Sequence, residues 1–463
     1  MKKIGFIMML SIVLILSACT GNNGGETKGN PQGESAGEHS GETKGETKGE
    51  TKSGKKTVVL SVMMNNRFFE TAARKFENKH PDIHIEIKEY KASEDGGGGM
   101  SMQAISLADV EKYVQSVTTQ VLSGKGPDLI LMSELPQDKF VAKKLLVDLN
   151  DLFSKISSID RKALYANILE ASKDGDGLYA VPLSFSLDLF LGNTEMLKKA
   201  NLSVDHYQSW SWNEFKDVAQ KLKQSNPETY ADLDPTSLLL DFMEDKYVEL
   251  VGQGKPNFDS DLFRNMLKEI KSMYDEGLLS EGMTFADNKA AFRMSGIYGL
   301  EQALTMPEGM DYYQKPSAAG DQKGAPFKAS YSLGINSKSE VQQEAWEFIS
   351  FLLSDEMQED PNLIGVPINK AVAEKRLQEI LQKIENGTLE TMMPKDMLPS
   401  VETVKQRIEA IERMIPKSDF RRFSDMKVLT IAMEEFNSFM SGQKSAEDVS
   451  KLIQNRVKTY LNE

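Results

Sequence analysis

Residues 57–90, TVVLSVMMNNRFFETAARKFENKHPDIHIEIKEY, change hydrophobic period twice within one short stretch. Thr57 to Met63 is an apolar run rich in β-branched side chains, the pattern of a buried strand. From Phe68 to Lys79 the apolar residues Phe68, Phe69, Ala72, Ala73 and Phe76 recur at helical spacing and share one helix face. Ile83, Ile85 and Ile87 then alternate with polar neighbours up to Tyr90, which is the period of a strand. Pro81 falls in the connection, where its missing N–H breaks no ladder. A strand, a helix and a strand in this order build a parallel pair joined by a crossover helix.

The pattern continues towards the C-terminus. Gly96 to Gly99 gives a loop, a helix is predicted from about Ser106 to Ser123, Gly124-Lys125-Gly126-Pro127 makes a turn, and Asp128 to Met132 (DLILM) is a second buried strand. Such alternation implies an α/β fold with a parallel sheet and helices on both faces. Ligands in open parallel sheets bind at the carboxyl ends of the strands. Asn65 and Asn66 follow the first strand, and Ser133 and Glu134 follow DLILM, so these are candidate binding residues. Helix capping is the alternative for Asn and Ser, which favour that position.

Towards the N-terminus, Thr20 to Lys56 is built from Gly, Glu, Thr, Lys, Asn and Ser and contains GETKGETKGETK from Gly41 to Lys52. It has no aromatic residue and is expected to be disordered, because it cannot bury enough apolar surface to offset the entropy of ordering. A flexible chain of this length reaches about 30 to 35 Å. Ahead of it stand Lys2 and Lys3, an apolar run from Ile4 to Leu16, and Leu16-Ser17-Ala18-Cys19. The run is too short to span a bilayer and reads as a secretory leader. The tetrapeptide resembles the lipobox of bacterial lipoproteins, which implies acylation of the Cys19 thiol and cleavage just before it.

Cys19 is the one cysteine among 463 residues, so the exported body is held by its apolar core without disulfides. Its length suffices for two or three domains. With 40% hydrophobic and 27% charged residues the composition is that of a water-soluble globular protein, and no later segment is apolar enough to cross a membrane. The formal charge of −14 argues against nucleic acid or an anionic membrane surface as partner.

No catalytic or metal motif emerges. The four histidines, His39, His80, His84 and His206, form no zinc-type spacing, and there is no Cys-x-x-Cys. Asp174-Gly175-Asp176-Gly177 lacks the remaining positions of a calcium loop and reads as a hairpin turn. Gly96 to Gly99 is not followed by Lys-Ser/Thr, and no nucleophile elbow occurs. A glycosidase carboxylate pair has no sequence spacing to test. No cofactor is expected.

Collinear segments carry a family resemblance: FENKHPDIHIEI, LSGKGPDLILM, LLVDLNDLF, KDGDGLYAVPLS, LGNTEMLKKANL with WSWNEFKDVAQKL, YSLGINSKSEVQQEAWEFISFLLSDEMQ, GVPINKAV and SGQKSAEDVSKLIQNRVKTYL. In order and spacing they resemble the family-1 extracellular solute-binding proteins of bacterial ABC importers. The resemblance implies a two-lobed periplasmic-binding-protein-like fold of type II, with central sheets flanked by helices and hinge crossovers. It places a first lobe at 57–184 plus about 330–365 and a second at about 185–329 plus 366–463, behind a leader at 1–19 and a tether at 20–56. Pro182 to Ser186 would form the first crossover, with Ser186 and Asp188 as polar contacts. Tyr298 falls where the family often carries a stacking aromatic, a buried core tyrosine being the alternative. Trp212 and Trp346 read as core from their helical settings, whereas Trp210 stays open between core and sugar platform. The chain departs from the family at Phe190-Leu191-Gly192-Asn193, where many members carry tyrosines, and in the long charged, methionine-rich stretch 373–427.

The function implied is capture of a small solute, an oligosaccharide by expectation, and its delivery to a membrane permease by a lipid-anchored monomer on the outer face of a Gram-positive cell. The alternatives are a ligand-presenting partner of a membrane histidine kinase and a secreted glycan-processing enzyme.

Overall fold

The computed structural model describes residues 54–91, 107–155, 159–280, 289–317, 320, 324–391, 394–422 and 425–462. The leader, Cys19, the tether up to Ser53 and Gly96 to Gly99 lie outside the described residues. Ten strands are found among the described residues: β1 (Lys56–Val62), β2 (Ile83–Glu89), β3 (Leu129–Leu131), β4 (Ser184–Asn193), β5 (Tyr230–Asp232), β6 (Ala290–Ile297), β7 (Met310–Gln314), β8 (Phe327–Ser330), β9 (Leu333–Ile335) and β10 (Val366–Pro367).

The first sheet has the order β2-β1-β3-β9. β1 runs parallel to β2, from Lys56 opposite Ile83 to Val62 opposite Glu89, and parallel to β3 on its other side. The crossover helix Arg67–Lys79 buries Phe68, Phe69, Ala72, Ala73 and Phe76, the face given by its periodicity. Each of the phenylalanines contributes about 1.5–3 kcal/mol by burial. Asp128 ties the strand ends together. Its carboxylate accepts the Val59 N–H at 2.9 Å and the Ser339 hydroxyl at 2.8 Å, while the Asn336 amide donates to the Pro127 carbonyl at 2.9 Å. Gly126 in that turn admits no side chain, since a Cβ would stand 2.8 Å from the Val121 Cα.

The second sheet differs from the parallel arrangement that the alternation implied. Its hub is β4, on which β6, β7, β8 and β10 all pair antiparallel; only β5 and β6 run parallel. Only β5 and β6 are joined as a parallel pair by intervening helices, among them Asp261–Asp275, whereas β10 returns to β4 from the first sheet and β8 follows β7 without a helix among the described residues. β4 is buried over nearly its whole length although Ser184, Ser186 and Asp188 alternate with Phe185, Leu187 and Leu189, because partners cover both of its faces. The chain passes between the sheets at residues 182–183, 331–332 and 359–365, and Val181 bridges Leu333 where the first two passages lie side by side.

Two large apolar cores follow. One runs from the first sheet through Phe185, Leu187 and Leu189 of β4 to the helices Lys370–Glu385 and Val401–Met414, and the other packs the second sheet against Trp212–Ser225, Asp261–Asp275, Met426–Met440 and Ala446–Asn462. The charged stretch 373–427 thus belongs to the fold. Within it, the buried Arg407 donates to the carbonyls of Leu304, Met306, Pro307 and Met310 at 2.6–3.1 Å and pins the loop before β7. Among the described residues no helix is long and apolar enough to cross a membrane.

Candidate ligand cleft

Side chains two apart on a strand share a face, and on β4 this brings Ser184, Ser186 and Asp188 into line. Ser184 donates to the Ile364 carbonyl at 2.6 Å and secures the third passage to the first. Asp188 meets the guanidinium of Arg422 at 3.4 Å. Arg422 is 2% exposed and also binds Asp241, Glu244 at 3.1 Å and Asp245 at 2.6 Å, three acids at the end of the helix Pro235–Asp245. Lys315 is a second partner for Asp241, and Lys328 reaches Glu244 at 3.1 Å. Four carboxylates this close would otherwise suit a divalent cation, but the cations of the chain itself occupy the space. Among the described residues no group of three or more His, Cys, Asp or Glu could hold a metal ion.

The ionisation of the cluster follows from burial and partners. Burial pushes the Asp241 carboxyl up, but Arg422 and Lys315 outweigh it and hold the group well below the usual carboxylate range. Asp245 is pushed up to about 6, first by burial; Arg422 opposes this and the Asp241 charge adds to it. Burial disfavours the charge on Arg422, yet Asp241, Asp245 and Asp188 raise its pKa well above the ordinary value. One oxygen of Asp188 and one of Asp241 are buried without a hydrogen-bond partner.

Two residues beside this network, and one on the first-sheet side, are open to solvent and yet crowded by protein, as side chains lining a cleft are. Tyr298, just beyond β6, is 49% exposed, and its hydroxyl is pushed up to about 12, first by burial and then by Asp188. Its ring folds back over Gly296, where a Cβ would stand 2.9 Å from ring carbon Cζ. Lys328 lies opposite Ser186 in the β4–β8 pairing and has a 48% exposed side chain. Burial works against its charge, but Glu244 and Asp188 raise its pKa. On the first-sheet side, Glu134 is exposed, and burial still raises its carboxyl. Its charge acts on Tyr331, in the second passage, whose ring stacks on Phe68 at 5.8 Å and whose φ is +49°. A left-handed tyrosine is uncommon and marks a link held by its surroundings.

The structure therefore gathers Ser186, Asp188 and Tyr298 into one group with Lys328 and Arg422, and sets Glu134 beside Tyr331. Asn65 and Asn66 directly precede the helix whose Phe68 and Phe69 rings contact Tyr331, and both are engaged locally. Asn66 accepts the Phe69 N–H at 3.0 Å and caps the first helix, and Asn65 binds Glu70 and the Asn66 N–H. Trp210 is placed in the second core, 7% exposed, with its indole N–H donated to the Gln314 carbonyl at 2.6 Å. Trp212 and Trp346 are buried. Phe190 packs on Trp212, Phe215 and Phe292. Gly192 leaves room for the ring of Tyr313, 2.5 Å from where its Cβ would be, and Asn193 caps the next helix. Lys328, Tyr331 and Arg422 escaped the sequence reading. Tyr331 alone carried a signal, as an aromatic residue opening YSLGINSKSE.

Two sheets joined by three passages, with polar groups and an open aromatic side chain beside them, define a two-lobed binding protein of type II. Residues 64–359 match the family described as bacterial extracellular solute-binding protein, and the chain belongs to that family. Solved structures share the fold. An ABC substrate-binding protein from Listeria monocytogenes in complex with cycloalternan is 16% identical, with a TM-score of 0.53 over 88% of this chain and 98% of that one. A maltose-bound MalE protein of T. maritima is 16% identical, with a TM-score of 0.54 over 87% and 99%. The sugar-binding protein MalE of Xanthomonas citri is 15% identical, with a TM-score of 0.58 over 88% and 97%.

Proposed function

We propose that this solute-binding protein captures a carbohydrate, an oligosaccharide by size class, and hands it to the permease of an ABC importer while tethered to the outer face of the membrane through lipid on Cys19. The observation that carries the ligand class is Tyr298. A half-exposed aromatic ring beside Asp188, Lys328 and Ser186 offers an apolar face for the C–H surface of a sugar and polar groups for its hydroxyls. The maltose and cycloalternan in the similar structures support the same class. The ligand bridges both lobes, and its contacts to the second lobe exist only when the cleft is shut, so binding favours closure.

A thermal-shift panel of maltose, longer maltooligosaccharides, peptides and polyamines tests the reading, because bound ligand raises stability by RT ln(1 + [L]/Kd). A shift from a sugar that disappears in Tyr298→Ala is expected. A shift from peptides or polyamines alone would overturn the carbohydrate class. Replacing Cys19 by serine is expected to release the protein from membranes with its ligand response intact.

A further inference from the structure

Arg421 and Arg422 are consecutive, and the stretch that carries them is extended. The Phe327 N–H donates to the Phe420 carbonyl at 3.0 Å, and the Arg422 N–H donates to the Phe327 carbonyl at 2.9 Å, so residues 420–422 lie alongside the start of β8. Adjacent side chains on extended backbone point to opposite sides. Arg422 accordingly enters the acids of the second lobe, and Arg421 reaches the first. There its guanidinium donates to the Gln137 side-chain oxygen at 3.1 Å and to the Ser172 carbonyl at 3.3 Å. Gln137 opens the short helix after β3 and is 4% exposed.

These bonds join the lobes through the protein's own side chains. Neighbouring pairs also cross the gap, Lys139 with Asp425 at 3.6 Å and Lys427 with Glu111 at 2.9 Å. Arg421 is half-buried, and burial lowers its pKa to about 10, which leaves it charged at neutral pH. If the lobes part about the three passages, the bond of Arg421 to Gln137 breaks while those of Arg422 persist. Ser172 follows a helix whose Asn167 amide donates to the Ile415 and Ser418 carbonyls at 2.7 and 2.8 Å, and so it stays near Arg421.

We propose that Arg421 is an inter-lobe latch, anchored through Arg422, that holds the cleft shut before solute arrives and so sets how much of the protein is in the closed form. The closed fraction scales the apparent affinity for any ligand that binds that form. The latch rests on the two-lobed architecture and not on the identity of the ligand.

The test uses unliganded full-length protein carrying Cys19→Ser, with spin labels on Lys143→Cys in the first lobe and Lys458→Cys in the second, both exposed positions. Pulsed dipolar spectroscopy reads the inter-lobe distance. A dominant short distance is expected in this background. Arg421→Ala is expected to lower the ratio of short to long populations about tenfold or more, the size of one charge-assisted hydrogen bond. Gln137→Ala, which leaves both arginines in place, is expected to act in the same direction, and the double variant to fall short of the sum. An unchanged distribution in Arg421→Ala, or fully additive effects in the double variant, would overturn the latch. An unfolded Arg421→Ala, recognised by loss of its melting transition, would also overturn it, since the latch requires that each lobe stand without this contact. Because no sugar is present, none of these outcomes bears on the carbohydrate reading.

Discussion

Replacing Arg422 by methionine keeps much of the side-chain volume and removes the charge from the centre of the acidic cluster. Lys315 would still serve Asp241 and Lys328 would still serve Glu244, but Asp188 and Asp245 would lose their cation. Breaking a buried pair by removing one partner costs about 3–5 kcal/mol. Unfolding entropy of roughly 2.1 cal/mol/K per residue over roughly 400 folded residues gives about 0.8 kcal/mol/K, so Tm is expected to fall by about 4–6 °C at pH 7.5. The pH dependence adds a second reading. In the variant the unpaired carboxyls have folded-state pKa values above their unfolded ones, so they oppose folding at neutral pH and cease to do so as protons bind. The gap between parent and variant is therefore expected to narrow between pH 7.5 and pH 5. Asp241 does not offset this in the parent, because its pKa is held too low to titrate in that window. Scanning calorimetry at the two pH values decides the matter: a loss under 1 °C at pH 7.5, or a gap that widens towards pH 5, would refute the assignment of Arg422 as the charge that makes this cluster tolerable.

Asp245→Asn is expected to stabilise the protein by about 3 kcal/mol at pH 8 and by about 1 kcal/mol at pH 4.5. The raised carboxyl, near 6 in the fold, favours folding only while protonated and loses that advantage as pH rises from its unfolded value through 6; urea unfolding at both pH values measures it. Gly296→Ala places a Cβ 2.3 Å from the Leu187 carbonyl in β4 and 2.9 Å from the Tyr298 ring. It is expected to cost about 1–3 kcal/mol by overpacking and to weaken sugar binding as well, checked by melting and titration calorimetry. Tyr298→Ala is expected to weaken carbohydrate binding about tenfold or more while leaving Tm within about 1 °C, since half of the side chain is already in water. An equal fall in stability would mark Tyr298 as structural.

The sequence pattern and the structure agree best where one period rules a whole element. The strand, helix and strand at 57–90 appear as Lys56–Val62, Arg67–Lys79 and Ile83–Glu89: the central strand is buried as its apolar run implies, and the helix and the edge strand each bury the face their periods mark. The second sheet was less legible: Ser184 to Leu189 of β4 alternates as a strand should, but alternation within one strand does not name its partners, which lie far along the chain. Asn66 has two physical uses, capping and ligand contact, and only coordinates separate them. Asp188 and Tyr298 were found through family resemblance, and their partner Arg422 was not. Its contacts to Glu244 and Asp245 lie 178 and 177 residues away in sequence, and one arginine in a chain with 27% charged residues carries no local mark of such a role.

β9 pairs with β3 and closes one edge of the first sheet, yet it stands at Leu333–Ile335, long after β3 at Leu129–Leu131. During synthesis, then, the first lobe emerges with an unpaired strand edge and waits for most of the second to be made. An open edge of buried-type residues is a template for pairing with another chain. Neither lobe can be cut out as a self-sufficient fragment along a single boundary, and a nascent chain arrested before Ile335 is the species most in need of a chaperone.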